Sequence, residues 1–104
     1  MKNILGIINQ INKKIKSLYS DYNGVYLYGS YVNNQQNDNS DIDLVALFEK
    51  ALNIEDRMKL WNIIGRLEAE FDITLDLHPM SRQELEQNPI YYNQVVNKGI
   101  FYGI

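Results

Sequence analysis

The segment DIDLVALF, residues 41 to 48, constrains the fold of this chain more than any other. Alternate side chains of a strand point to opposite faces, so a strand with one wet side shows a polar residue at every second position. After Asp43 neither alternating set is polar. The segment is therefore predicted to be a strand buried on both faces in the interior of a sheet, and other elements must cover both sides of that sheet.

Apolar residues at helical spacing predict two long helices. The first covers about residues 3–19. The second is predicted to begin after Asn53, a residue suited to an N-cap, and to end near residue 71. Its apolar face is predicted from Met58, Trp61, Ile64, Leu67 and Phe71. A short helix with a capping box made by Ser81 and Glu84 follows, and a last helix after Pro89 is predicted to end at Gly99.

Three further strands complete the predicted sheet. VYLY at residues 25–28 follows a turn at 21–24, ITLDLH spans residues 73–78, and residues 100–102 would add a short edge strand. The order helix, strand, strand, helix, strand, helix predicts an α/β or α+β fold, with a small mixed sheet packed by helices. With 104 residues, we expect one domain over 1–104.

Composition excludes several classes of function. No apolar run is long enough to span a membrane, and the N-terminus lacks the profile of a signal peptide. The chain has no cysteine, which excludes disulfides and thiolate metal sites. Its net charge of −3 argues against binding DNA through the phosphate backbone. We expect a cytoplasmic protein.

Three aspartates lie in or at the start of segments that are otherwise apolar, where a charged side chain is unfavourable unless it has a partner. Asp41 and Asp43 share one face at the start of the buried strand, and Asp76 lies inside ITLDLH. Ionised carboxylates this close to a core repel each other and lose hydration, so a divalent cation, Mg²⁺ or Mn²⁺, is a natural partner. Two simpler interpretations stay open: Asp41 as an Asx-turn residue, and Asp76 in a salt bridge with Arg66 or Arg82.

Gly29-Ser30 ends the strand before the acids. Glycine allows a ligand to approach the backbone closely, and a following helical turn would present free N–H groups to the phosphates of a nucleoside triphosphate. When the dipeptide is taken alone, a plain turn in which Ser30 is only an N-cap explains it better than a phosphate site does.

The constellation as a whole resembles the DNA polymerase β-like nucleotidyltransferase superfamily. The residues that carry the resemblance are Gly29-Ser30, then Asp41-x-Asp43 at the head of an apolar strand, then Asp76 on a strand of its own. The short chain is similar to the minimal nucleotidyltransferase (MNT) branch, whose members are often antitoxins paired with a HEPN-domain ribonuclease toxin. The resemblance covers nearly the whole chain.

The resemblance also implies roles for these residues. Asp41 and Asp43 would ligate the divalent ions, Asp76 would complete the catalytic metal site, and Gly29 and Ser30 would hold the β- and γ-phosphates. The implied activity is a protein adenylyltransferase that moves AMP from ATP to a hydroxyl of a partner protein. The partner would be a HEPN toxin, although a homo-oligomer is also open.

One departure from the family pattern affects the expected activity. Many MNT members carry an arginine in a sequence such as GSYARG, whereas this chain reads GSYVNN with Asn33 at that position. An antitoxin that neutralises its partner by contact alone therefore stays open. So does the catalytic half of an antibiotic-type nucleotidyltransferase.

His78 and several tyrosines are candidates for further contacts with a substrate or a partner. His78 should share the face of Asp76, and Tyr28 and Tyr31 could stack on a base. The last helix is predicted to expose an apolar surface for another chain, made of Tyr91, Tyr92, Val95 and Val96.

Overall fold

The computed structural model describes residues 3–33 and 41–104. Its α-helices are α1 (Ile4–Leu18), α2 (Ile54–Phe71), α3 (Arg82–Glu86) and α4 (Pro89–Tyr92). Its strands are β1 (Tyr22–Tyr28), β2 (Ile42–Phe48), β3 (Leu75–Ser81) and β4 (Ile100–Gly103). A 3₁₀ turn (Gly29–Tyr31) follows β1, and a π-helical turn (Asn93–Asn97) follows α4. None of the described helices is both long and apolar enough to cross a bilayer.

The strands form one mixed sheet in the order β3-β2-β1-β4. β2 runs parallel to β3 and antiparallel to β1, and β4 pairs antiparallel with the other side of β1. Every residue of β2 except Asp43 is buried. The prediction of an interior strand covered on both faces is confirmed, and the architecture is the mixed, helix-packed sheet expected from the sequence.

The two faces of the sheet carry separate apolar cores. The larger core joins α1 and α2 to one set of alternating β2 residues: Ile42, Leu44, Ala46 and Phe48. The smaller core lies on the opposite face, where Leu85 and Val95 pack on Val45 and Leu47. Because side chains alternate along a strand, Asp43 shares the face of Val45 and Leu47. Its carboxylate therefore lies on the face of the smaller core.

The helix ends follow the capping signals in the sequence. The side chain of Asn53 accepts a hydrogen bond from the Asp56 N–H at 2.8 Å, and α2 begins at the next residue. The capping box of Ser81 and Glu84 is present at the start of α3. Each cap satisfies backbone N–H groups that lack a partner in the first turn of a helix.

β1 and α2 differ in detail from the sequence prediction. β1 begins at Tyr22 rather than after a turn at 21–24, because Gly24 occupies a bulge within the strand, with φ +137°. The buried face of α2 comprises Leu60, Ile64 and Leu67, whereas Met58 and Trp61 are exposed. Both apolar stripes have helical spacing, and only the packing against the sheet decides which one is buried.

The predicted surface on the last helix is also wrong. Val95 is fully buried, and Tyr91, Tyr92 and Val96 pack against the smaller core. The helix does not run unbroken from Pro89 to Gly99, because α4 passes into the π-helical turn after four residues. The edge strand β4 is present as expected and extends to Gly103.

Candidate functional site

Three residues form a row across the sheet at the end of the smaller core. Tyr28 on β1 is the direct partner of Asp43 on β2, and Asp43 is the direct partner of Asp76 on β3. Directly opposed residues on neighbouring strands point to the same face. The strand register alone therefore brings an aromatic hydroxyl and two carboxylates into one line.

The two carboxylates affect each other electrostatically. The pKa of Asp43 is raised, first by partial burial and then by the negative charge of Asp76. Asp41 raises this pKa further, and His78 lowers it. Two carboxylates that face each other on neighbouring strands repel each other, and this repulsion favours a proton or a cation between them. The site is thus built to hold positive charge.

Gly29 connects the 3₁₀ turn to the same carboxylate. Its φ is +76°, a left-handed conformation that glycine adopts without strain. A Cβ at this position would collide with Asp43 Oδ2. The carbonyl of Gly29 accepts hydrogen bonds from the N–H groups of Val32 and Asn33, both at 3.1 Å. The backbone of the turn therefore lies directly against the acid row, with Ser30 at its centre.

Asp76 and His78 are in close side-chain contact on the outer part of the site. His78 Nε2 lies 2.9 Å from Asp76 Oδ1, and the side chains are 54% and 47% exposed. Among the described residues, Asp76 pairs with His78 and with neither Arg66 nor Arg82. Arg82 lies instead near Glu49, at 3.9 Å. The alternation of β3 makes this pair possible, because residues two apart share a face.

Sequence reasoning missed Tyr91 as a residue of this site. Its hydroxyl lies 2.7 Å from that of Tyr28, and the two rings meet edge to face with centroids 5.7 Å apart. Burial, the hydrogen bond between them and the charges of Asp43 and Asp76 raise the pKa of Tyr28. Nothing in the sequence spacing links residues 28 and 91. Tyr31, by contrast, packs against the larger core on the other face.

Asp41 precedes β2 and is exposed, and its charge acts on Asp43. Within residues 3–33 and 41–104, no three Asp, Glu or His side chains are grouped closely enough to hold a metal ion by themselves. Mg²⁺ in nucleotide sites commonly takes only one or two protein carboxylates together with water and phosphate oxygens. The paired carboxylates of Asp43 and Asp76 have the hard oxygen donors that this mode needs, so the donor set fits.

Comparison with known proteins places this geometry in a family. The sequence profile described as "Polymerase beta, Nucleotidyltransferase" matches residues 9–100, which contain the 3₁₀ turn and all three acids. The chain belongs to this nucleotidyltransferase family. A curated relative from Methanocaldococcus jannaschii, named "Putative protein adenylyltransferase MJ0141", is 27% identical over 73 residues, covering 69% of this chain and 74% of the relative.

Solved structures show the same nucleotidyltransferase fold. A chain from a toxin–antitoxin complex crystallised with AMP-PNP superposes with a TM-score of 0.68 and 28% identity, over 92% of this chain and 73% of that one. A chain from a complex of a tri-AMPylated Shewanella oneidensis HEPN toxin with its MNT antitoxin gives a TM-score of 0.64 at 24% identity. That match covers 96% of this chain and 72% of the other, and at this identity it supports the shared fold alone.

Proposed function

We propose that this nucleotidyltransferase transfers AMP from ATP to a hydroxyl group of a HEPN-domain toxin and thereby acts as its antitoxin. The observation that carries the proposal is the placement of Asp43 opposite Asp76, beside the glycine turn at Gly29. The similarity to a toxin–antitoxin chain crystallised with AMP-PNP and to a protein named as an adenylyltransferase supports the choice of an adenine nucleotide and of a toxin as the partner. The HEPN type of the toxin follows from the resemblance of the sequence to the MNT branch.

The turn and the acids have complementary roles in this proposal. Gly29 and Ser30 bind the β- and γ-phosphates, because glycine lets the triphosphate approach the backbone and the Ser30 hydroxyl adds a donor. Holding the triphosphate on the turn would bring the α-phosphorus near the acid row. There the acceptor hydroxyl loses its proton and forms a new bond to the α-phosphorus, while the bond between the α- and β-phosphates breaks and pyrophosphate leaves. Such positioning supplies much of the rate of the transfer.

Asp43 and Asp76 would hold Mg²⁺ or Mn²⁺ together with water and phosphate oxygens, and Asp41, which lies just before β2, would be a further ligand. Bound there, the divalent ion would neutralise charge on the phosphates and lower the pKa of the attacking hydroxyl. Asp76 is more exposed than Asp43 and lies on the edge strand β3, so we assign it the role of orienting that hydroxyl. The mutual repulsion of Asp43 and Asp76 favours the arrival of a cation at the same position.

The test is to incubate the protein with its HEPN partner, Mg²⁺ and ATP labelled at the α-phosphate, followed by intact mass measurement. The expected product is a partner that carries one or more AMP units. Asp76→Ala should abolish this product, whereas Glu86→Ala, which removes an exposed acid at the end of α3, should not. An unmodified partner with the wild-type protein would overturn the proposal.

The residue at position 33 favours a second candidate function, in which the protein neutralises its toxin by binding alone and without AMP transfer. Asn33 is exposed next to the 3₁₀ turn, where the related pattern has an arginine, so a cation for the triphosphate is missing from this position. A toxicity assay in cells separates the candidates. If Asp76→Ala protects the cell as well as wild type does, contact is sufficient; if protection is lost while the complex still forms, transfer is required.

A further inference from the structure

His78 restrains the carboxylate that the proposed reaction most depends on. Asp76 has two close partners: the imidazole of His78, which lies 2.9 Å from Oδ1, and the carboxyl of Asp43. An exposed aspartate next to another negative charge would rotate toward water, because both solvation and repulsion favour that rotation. The imidazole opposes the rotation by holding one oxygen on the sheet face.

We propose that His78 is a positioning residue for nucleotidyl transfer: its Nε2–H donates a hydrogen bond to Asp76 Oδ1 and fixes the orientation of that carboxylate beside Asp43. The inference rests on the proposed function for its catalytic meaning, but its geometry does not depend on it. Outer partners that orient a metal-binding carboxylate or imidazole commonly change affinity or activity by about 10- to 100-fold when they are removed.

The role follows from where the donor atom lies. β3 places His78 two residues after Asp76 on the same face, so the ring needs no backbone distortion to reach the carboxylate. A neutral imidazole carries its proton on either Nδ1 or Nε2, and the partner of each nitrogen decides which. The hydrogen bond to Asp76 therefore predicts the Nε2–H tautomer.

A direct spectroscopic test is available, because His78 is the only histidine of the chain. Imidazole ¹⁵N chemical shifts of untagged protein, recorded in a buffer alkaline enough to leave an ordinary imidazole neutral, report the tautomer without overlap from other residues. We expect the Nε2–H form in the wild type and a shift toward a tautomer mixture in Asp76→Ala. A predominant Nδ1–H form, or spectra that are the same in wild type and Asp76→Ala, would overturn the assignment.

Two matched variants connect this geometry with metal binding and turnover. The amide nitrogen of His78→Gln lies near the position of Nε2, whereas the shorter His78→Asn places its amide near Nδ1. His78→Asn and His78→Ala should weaken Mn²⁺ binding, measured by electron paramagnetic resonance with a non-cleavable ATP analogue, by about 10- to 100-fold, and should lower kcat. His78→Gln should recover most of both.

The outcomes separate this inference from the proposed function. Equal Mn²⁺ affinity in wild type and His78→Ala, or equal behaviour of the Gln and Asn variants, would overturn the positioning role. If wild-type protein binds no Mn²⁺ and modifies no partner, the proposed function fails. In that case the imidazole shifts still decide whether His78 holds Asp76.

Discussion

Asp43 of β2 lies directly opposite Asp76 of β3, on parallel strands, and the charge of Asp76 raises the pKa of Asp43. The two strands can run parallel because α2 connects the end of β2 with the start of β3. Two acids separated by 33 positions in the sequence thus become the facing pair of the site. The repulsion between them implies that the folded protein is less stable when both are ionised.

The first prediction follows from this repulsion. A carboxyl whose pKa is raised on folding stabilises the protein below its unfolded pKa, and this contribution is lost as the pH rises through the folded pKa. At neutral pH without metal, Asp43→Asn should therefore raise Tm. The rise should be on the order of 1–3 °C, because solvent screens a half-buried group, and it should shrink in buffers below about pH 4.

Thermal melts monitored by circular dichroism across this pH range would check the prediction. Glu86→Gln is the control, since it also removes one negative charge from the protein and its residue is exposed at the end of α3. The control should change stability by less than about 0.5 kcal/mol. A lower Tm for Asp43→Asn at neutral pH would contradict the repulsion.

A second prediction concerns metal and nucleotide. Mg²⁺ together with an ATP analogue that has a non-cleavable α–β bridge should raise Tm by mass action, equivalent to about 2.7 kcal/mol at 100 times the Kd. The double substitution Asp41→Asn with Asp43→Asn should abolish this shift. The shift within each protein is the quantity to compare, because the double variant is expected to start from a higher Tm. An equal shift in both would place the site elsewhere.

A third prediction uses two glycines. Gly29→Ala puts a methyl group against Asp43 Oδ2 at a φ of +76°, so it should destabilise the protein by about 1–3 kcal/mol and remove the nucleotide-dependent shift. Gly65→Ala is the matched control, because Gly65 lies in α2 and a Cβ there meets nothing within 4 Å. It should stabilise the protein by up to about 1 kcal/mol through helix propensity. Urea denaturation measures both changes.

A fourth prediction concerns the hydroxyl pair of Tyr28 and Tyr91. Tyr28→Phe and Tyr91→Phe each break the same 2.7 Å hydrogen bond and leave the other hydroxyl without its partner. Each should lower the free energy of unfolding by about 1 kcal/mol. The double variant should therefore be less destabilised than the sum of the two single variants. A double-mutant cycle from urea denaturation should give a coupling free energy of about 1 kcal/mol, and strict additivity would show that the bond does not contribute.

The sequence could predict the part of the site that depends on strand alternation. The apolar positions after Asp43 predict the interior strand, which the structure confirms, and alternation then puts Asp43 on the face of Val45 and Leu47. Asp41 lies just before this strand begins, so its shared face with Asp43 stays a prediction. The register between β2 and β3 was not predictable, because α2 and its loops leave the alignment of Asp76 free. The pairing of Asp43 with Asp76 is set by packing.

The contact between Tyr28 and Tyr91 at the smaller core was not predictable either, because it also depends on packing. Tyr91 contacts Tyr28 because α4, which follows β3, packs back onto the sheet. The periodicity of the sequence does not predict where α4 packs. The face of α2 shows a related difficulty. Trp61 and Leu60 are adjacent and both apolar, and the shape of the sheet decides that Leu60 is buried and Trp61 is exposed.

The last prediction restores the cation that this chain lacks. Asn33 is exposed, and its N–H donates a hydrogen bond to the carbonyl of Gly29. A longer side chain at this position therefore starts beside the proposed phosphate-binding turn. Asn33→Arg should tighten the binding of an ATP analogue about tenfold, as expected for a charge-assisted hydrogen bond to phosphate. Asn33→Gln lengthens the side chain without adding charge and should leave the affinity near that of wild type. Calorimetric titration at two ionic strengths gives a further check, because the gain from arginine should shrink as salt screens the charge. An arginine variant that binds no better than the glutamine variant would mean that the triphosphate does not lie along the turn at Gly29.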